Sequence, residues 1–180
     1  MLEVYRSLLQ TAAKQGNAAL YKAIVNTPFT DEVAAAQLFL GIVVLLLVNE
    51  KAGTIDRIAL SDTHLAKGTL KMSVKRFKDI KIPVDYYENV IAEAIHTGEP
   101  RATSDWRYLF EPALSPEEAR FNQAGGGIGY SAVYPLSQGA PAGALIFSYY
   151  QFADQIKAPH HSFMSGYTEL VSRVLRSQRP

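Results

Sequence analysis

The sequence predicts an α+β fold in which a central antiparallel β-sheet carries helices on its faces. Three observations lead there. Residues 125–150, GGGIGYSAVYPLSQGAPAGALIFSYY, hold two apolar runs, 128–136 and 143–150, separated by a polar turn and bounded by Gly, Pro, Ser and Gln, the pattern of an antiparallel strand pair. Residues 42–61 repeat it, with IVVLLLVN, a turn and a second run. Both chain ends carry apolar residues at spacings of three and four, the period of helices that pack along a seam.

In chain order, Leu2, Tyr5, Leu9 and Ala12 make residues 2–15 an amphipathic helix. Gly16-Asn17 interrupts it, and a second helical piece around 18–25 sets Leu20, Ala23 and Ile24 on one side before Thr27-Pro28. Thr30-Asp31-Glu32 supplies a cap and two acids in a first turn, and Gly41 stands where a helix would stop, so 31–40 reads as a helix. Residues 42–49 are the most β-branched and apolar segment, a buried strand. The turn at 50–53 leads into a half-exposed strand, 54–61, that carries Asp56 and Arg57.

Residues 62–82 are the charge-biased stretch, with Lys67, Lys71, Lys75, Arg76, Lys78 and Lys81 against Asp62 and Asp79. It reads either as a solvated face or as an attractor for an anionic ligand or partner. Asp85 to Glu88 has the form of a capping box, followed by a helical stripe of Tyr87, Val90, Ile91, Ala94 and Ile95 that ends at Thr97-Gly98. A short strand, 101–104, then leads into Asp105-Trp106. Ser115-Pro116-Glu117-Glu118 starts a short helix, with a cap, a proline at the first position and an acid at the third, and the glycines at 125–127 stop it.

In the strand pair, Tyr130, Ala132, Tyr134 and Leu136 fall on one face and Ser131, Val133 and Pro135 on the other. Leu145, Phe147 and Tyr149 likewise oppose Ala144, Ile146 and Ser148. Neither face is polar, so both sides of the sheet are expected to be covered. Pro159 opens a final helix, 159–177, in which Phe163, Tyr167, Leu170 and Val174 repeat at four, three and four. The two end seams fit helices that pack on each other, on a second subunit, or on both.

A length of 180 residues suits one domain, 1–180, with a core at about 31–175. With 18 Lys plus Arg against 17 Asp plus Glu, a net charge of +1 gives no global pull toward nucleic acid or an anionic membrane. No helix-turn-helix pair with a basic recognition helix is legible. The longest apolar run, 33–48, is broken by Gln37 and Gly41 and falls short of the roughly 20 residues of a membrane helix. The chain has no cysteine, which excludes disulfides, thiolate metal sites, thiol nucleophiles and thioether-linked cofactors and fits a reducing cytoplasm, the expected location. His64, His96, His160 and His161 share no metal-ligand spacing, and no Gly-x-Ser-x-Gly elbow occurs, so neither a metal site nor an enzyme is expected.

Three stretches resemble the GAF domain, the small-molecule sensor module of signalling proteins. In VIAEAIHTGEPRATSDW, residues 90–106, a helix runs through a Thr-Gly-Glu-Pro turn into a short strand that ends in Asp. SAVYPLSQGAPAGALIF, 131–147, is similar to the family's last two strands, and 46–60 resembles its first hairpin. Their order and spacing cover about 31–175. The resemblance implies an antiparallel sheet of five or six strands, a ligand pocket on one face beneath loops, and dimer contacts through the terminal helices. It also marks departures: bilin-attaching and methionine-sulfoxide-reducing members need a cysteine, and the Asn-Lys-Phe-Asp-Glu signature of cyclic-nucleotide-binding members is not visible. Residues 107–127 are an insertion where the family's pocket is covered.

The candidate pocket comprises Asp105, Trp106, Tyr108, Phe110, Phe121, Asn122, Tyr130 and Tyr134, aromatic walls with few polar groups. The same aromatics serve equally as core fill between the insertion and the sheet. Gly125-Gly126-Gly127 reads as a lid hinge or as a helix stop with close backbone approach. The expectation is a sensory domain that binds a small molecule of unidentified kind and signals through its terminal helices. It would work as a homodimer with an attached or associated kinase or cyclase output, and the alternative is a dimerisation module that binds nothing. The chain begins in a helix and ends in or just after one, as a domain excised from a longer signalling protein would.

Overall fold

The computed structural model describes residues 2–178. Its centre is a six-stranded antiparallel sheet in the order β3-β2-β1-β6-β5-β4. The strands are β1 (Leu40–Asn49), β2 (Thr54–Leu60), β3 (Lys81–Pro83), β4 (Arg101–Thr103), β5 (Tyr130–Pro135) and β6 (Gly143–Tyr149). The longest apolar runs thus occupy the middle, and the two three-residue strands form the edges. The sheet agrees with the expected class and strand count.

Strand alternation sends successive side chains to opposite faces, and each face has its own helices. Val43, Leu45, Phe147 and Tyr149 pack beneath α1 (Leu2–Ala13), α2 (Asn17–Asn26) and α8 (Ala158–Arg176), against Tyr5, Leu9, Leu20, Ile24 and Tyr167. Their neighbours Ile42, Val44, Leu46 and Ile146 face α4 (His64–Met72), α5 (Val90–Thr97), α6 (Arg107–Phe110) and α7 (Pro116–Gly126). The split within β5 and β6 follows the alternation read from the sequence. The terminal helices meet each other: the Tyr5 and Tyr167 rings cross edge to face at 5.8 Å.

Several local expectations change. α3 (Glu32–Leu38) is capped by the Asp31 carboxylate, which accepts from the Ala34 N–H at 3.0 Å. It ends at Phe39, which takes the left-handed conformation at φ 53, and not at Gly41. Gly41 lies inside β1, where a Cβ would meet Leu65 Cδ1 at 2.6 Å. α5 is capped by Asn89, accepting from the Ile91 N–H at 2.8 Å, whereas 85–88 is a turn. The Ser115 capping box forms as expected, with Ser115 and Glu118 exchanging bonds of 3.2 and 2.8 Å. The charge-biased stretch, read without defined elements, holds α4, a 3₁₀ turn (Phe77–Asp79) and the edge strand β3.

Candidate functional site

Between the sheet and the α4–α7 layer lies a cavity of about 40 Å³. Ile42, Val44, Ile146 and Ser148 of β1 and β6 form its floor. Trp106, Leu109 and Phe110 roof one side, while Thr69 of α4 and Asn122 of α7 close another, and Arg57 of β2 enters from the edge. The volume holds a few water molecules at most, given the ~10–15 Å³ that one needs.

The insertion reaches this face because α4 and α7 touch backbone to backbone. A Cβ at Gly68 would collide with the Gly125 carbonyl, one at Gly125 with Met72, and one at Gly126 with the Thr69 hydroxyl. Gly125 and Gly126 are the last turn of α7, and Gly127, at φ 60, ends it. The triplet therefore serves close packing and helix termination, which corrects the hinge reading. Asn122 Nδ2 extends the contact, donating to Ser73 Oγ at 3.2 Å.

Trp106 is held by the sheet itself. Its Nε1–H donates to Ser131 Oγ at 2.8 Å, and Ser131 Oγ lies 2.7 Å from Ser148 Oγ, so two polar side chains on the central strands fix the indole over the cavity. The ring packs at 5.4 Å from Phe110.

Arg57 is the unexpected member. Sequence reading places it on a half-exposed strand, yet it is 5% exposed. The cause is a bulge: the β1–β2 register slips between Leu45 and Leu46, which pair with Ala59 and Arg57. Ile58 and Ala59 then both pack toward the terminal helices while Arg57 and Leu60 both face the cavity. Bulges re-aim side chains in this way. The Arg57 guanidinium lies 4.4 Å above the Phe110 ring and its Nη2 donates to the Leu109 carbonyl at 3.2 Å. No carboxylate pairs with it among the described residues, and burial alone pulls its pKa down to about 10, so it stays charged at neutral pH. Its Nε, the Thr69 hydroxyl and Asn122 Oδ1, all bordering the cavity, have no hydrogen-bond partner within the protein.

Of the eight residues expected from the sequence, the structure brings Trp106, Phe110 and Asn122 together at the cavity. Asp105 stands behind it as a clasp, its Oδ2 accepting from Arg120 Nη2 at 2.7 Å and its Oδ1 from the Arg107 N–H at 3.0 Å. Burial raises the Asp105 carboxyl, but the Arg120 bond, the Arg107 N–H and the two cations outweigh it and hold the pKa below the usual range. Tyr108 lies beneath the Arg107 guanidinium, 4.2 Å from its ring centre, and Phe121 is exposed. Tyr130 and Tyr134 are on the other face, with Tyr149, Phe147 and the terminal helices. Alternation along β5 forbids them from sharing a chamber with a ring bonded to Ser131. Beside Arg57, Thr69 and Ser148 are cavity residues that the sequence reading lacks. The charge bias of 62–82 was the signal that pointed at α4.

Among the described residues no three His, Asp or Glu side chains converge as a metal site requires. None of their helices is long and apolar enough to cross a membrane.

No protein-family model matches the sequence, and no curated protein matches it either. Solved structures match its shape. A segment of a methyl-accepting chemotaxis protein superposes with a TM-score of 0.61 at 10% identity, covering 95% of this chain and 96% of that one. The GAF domain of an Acinetobacter phosphoenolpyruvate-protein phosphotransferase gives 0.60 at 11%, covering 98% and 92%. Free methionine-R-sulfoxide reductase from Neisseria meningitidis, in complex with its substrate, gives 0.53 at 15%, covering 98% and 89%. The fold is that of GAF domains, as the sequence resemblance implied.

Proposed function

We propose that this chain is a sensory GAF-type domain that binds a small molecule in the cavity under α4, α6 and α7 and reports its occupancy through α1 and α8. The observation that carries this reading is the set of three unpartnered polar atoms, on Arg57, Thr69 and Asn122, around an otherwise apolar chamber. Buried polar groups ordinarily find partners, and those without one in the protein are completed by water or by a ligand; three of them converging on one chamber support the latter. Similarity to domains of a chemotaxis protein and a phosphotransferase supports a role in signalling, with an attached or associated output module such as a kinase or cyclase. The chain is read as acting in the cytoplasm as a single domain without catalysis of its own. It contains no cysteine with which to follow the sulfoxide-reducing members.

The route to the terminal helices is built into β6. Ile146 and Ser148 face the cavity, whereas Phe147 and Tyr149 between and beside them face α8. Phe147 packs against Phe163 at 6.0 Å and Tyr167 at 6.3 Å, and Tyr167 meets Tyr5 of α1. A ligand larger than a few waters lifts the segment 73–80, strains the floor, and shifts this aromatic column. Binding then selects one of two helix packings. Val4 and Leu8, one turn apart on α1, remain exposed, an apolar strip for the same helix of a second copy.

The test uses Trp106, the single tryptophan of the sequence and a wall of the cavity. A metabolite panel is screened by thermal shift and by tryptophan fluorescence, on the wild type and on Ile146→Phe, which fills the chamber. Compounds that stabilise the wild type and not the variant support the reading. Equal stabilisation of both would put binding outside the chamber and overturn the reading; stabilisation of neither would overturn it in favour of the dimerisation module that binds nothing, to which the small chamber volume also points. Light scattering on Val4→Glu/Leu8→Glu should show a dimer becoming a monomer.

A further inference from the structure

We propose that the ligand is a small organic monoanion, a carboxylate on an apolar body, which passes through a lysine-lined basin and seats its carboxylate on Arg57. This rests on the sensory reading above and names its ligand class.

The basin is an open depression of about 860 Å³ on the outer side of β2, and Arg57, Leu60, Leu70 and Phe77 border both it and the inner chamber. Its rim carries Lys22, Lys67, Lys78 and Lys81 against Asp56 and Asp62. Both acids are already engaged: Lys81 Nζ lies 3.5 Å from Asp56 and Lys67 Nζ 2.8 Å from Asp62. Lys22 and Lys78 have no ion pair among the described residues, so the basin attracts anions. Leu70 and Phe77 stand between basin and chamber, on the α4 and 73–80 side that must move to admit a guest. Three of the six cations of 62–82, Lys67, Lys78 and Lys81, are thereby given a use: they line a basin that also reaches Arg57, the only buried guanidinium among the described residues.

Inside, a cation with no counter-ion sits among apolar walls. Its charge is offset by the Phe110 ring and the Leu109 carbonyl, neither of which is an anion. A buried charge calls for an opposite one, and a guanidinium presents a fork that matches a carboxylate. Arg57 Nε and the Thr69 hydroxyl are both free to donate, while Asn122 Oδ1 is free to accept from a hydroxyl or amine on the same guest. A single cation in an apolar chamber neutralises one negative charge. A phosphate dianion would leave the second uncompensated, and no glycine-rich loop of backbone N–H groups lines the space to take it. The remaining walls, Ile42, Val44, Leu109, Phe110 and Ile146, suit hydrocarbon or an aromatic ring.

The test titrates the full chain with sodium benzoate, its neutral analogue benzamide, and phenyl phosphate, following Trp106 fluorescence and the Nε–Hε resonance of Arg57. Benzoate is expected to bind at least about tenfold more tightly than benzamide, the worth of a charge-assisted hydrogen bond, and to move the Arg57 resonance. Arg57→Met should abolish that preference, and Lys22→Gln/Lys78→Gln should slow association several-fold with dissociation unchanged, as rim charges do. Benzamide binding as tightly as benzoate, or phenyl phosphate binding more tightly, would overturn the ligand class and leave the cavity reading standing. Failure of all three probes to perturb Trp106 or Arg57 would overturn both. The acid-against-amide comparison is made on the wild type, so it decides even where Arg57→Met does not fold.

Discussion

The face of the sheet under α1, α2 and α8 and the face under α4 to α7 are made from the same strands, and they bury different things. The first is closed by aromatic rings in mutual contact, from Tyr134 and Phe147 to Phe163, Tyr167 and Tyr5, and among the described residues it buries no Lys, Arg, Asp or Glu. Tyr167 finds an acceptor there, donating to the Ile24 carbonyl at 2.6 Å, while the Tyr5 and Tyr149 hydroxyls, like the three cavity atoms, have no partner within the protein, so it is the buried charge that sets the two faces apart. The second encloses a small void bordered by an uncompensated guanidinium. Close packing of apolar groups stabilises a fold, whereas an unpaired buried charge works against it. The first face therefore supplies the packing that holds the domain together, and the second is the one that the proposed sensory role uses for recognition.

The sharpest way to break the comparison is to damage the packed face. Phe147→Ala removes the ring at the centre of the aromatic column and should cost about 3–5 kcal/mol, read from denaturant midpoints. A loss below about 1 kcal/mol would mean the terminal-helix face is not the stabilising one. Next in size is Gly125→Ala. Alanine favours a helix interior, yet here it meets Met72 and the Gly68 carbonyl, so a net loss of about 1–3 kcal/mol is expected. A mobile hinge at this position would instead leave stability unchanged or raised.

Ser115→Ala tests the layer that roofs the cavity. It removes one half of the capping box of α7 and should cost about 1 kcal/mol while leaving the packed face untouched. The smallest effect is a pH dependence at the Asp105 clasp. Its folded pKa lies below the unfolded one, so the clasp contributes stability at neutral pH that is lost as pH falls through the folded value. Asp105→Asn should therefore be less stable than wild type at neutral pH, and the gap should close in acid below about pH 4, seen in paired thermal melts. A gap independent of pH would show that the carboxylate charge is not what holds the loop to α7.

Much of this layout was legible from residues alone. Apolar alternation in 130–136 and 143–150 assigns Ala132 and Phe147 to one face and Val133 and Ile146 to the other, and both faces are covered as a sheet without a polar side requires. Seam spacing put Tyr5 and Tyr167 on the packing stripes of the two end helices, and in the structure those stripes meet each other. The site was only half legible, because its parts depend on distant pairing. Trp106 and Phe110 are near one another in sequence, but Arg57 reaches the cavity only through a bulge, and a bulge is a property of two strands in register. Tyr130 and Tyr134 look like pocket aromatics until alternation is counted from Ser131, the partner of Trp106. Gly68 and Gly125 belong to separate helices, so their fit is invisible until the helices meet.

Under the proposed role, Arg57 is kept for recognition and not for stability. The measurement that bears on it most directly is the denaturant unfolding free energy of Arg57→Met against wild type, with no added small molecule. A variant within about 1 kcal/mol of wild type or above it is expected, since an apolar side chain of similar length replaces an unpaired charge. A loss of about 3 kcal/mol or more would contradict it, by showing that the guanidinium is a structural brace for Leu109 and Phe110.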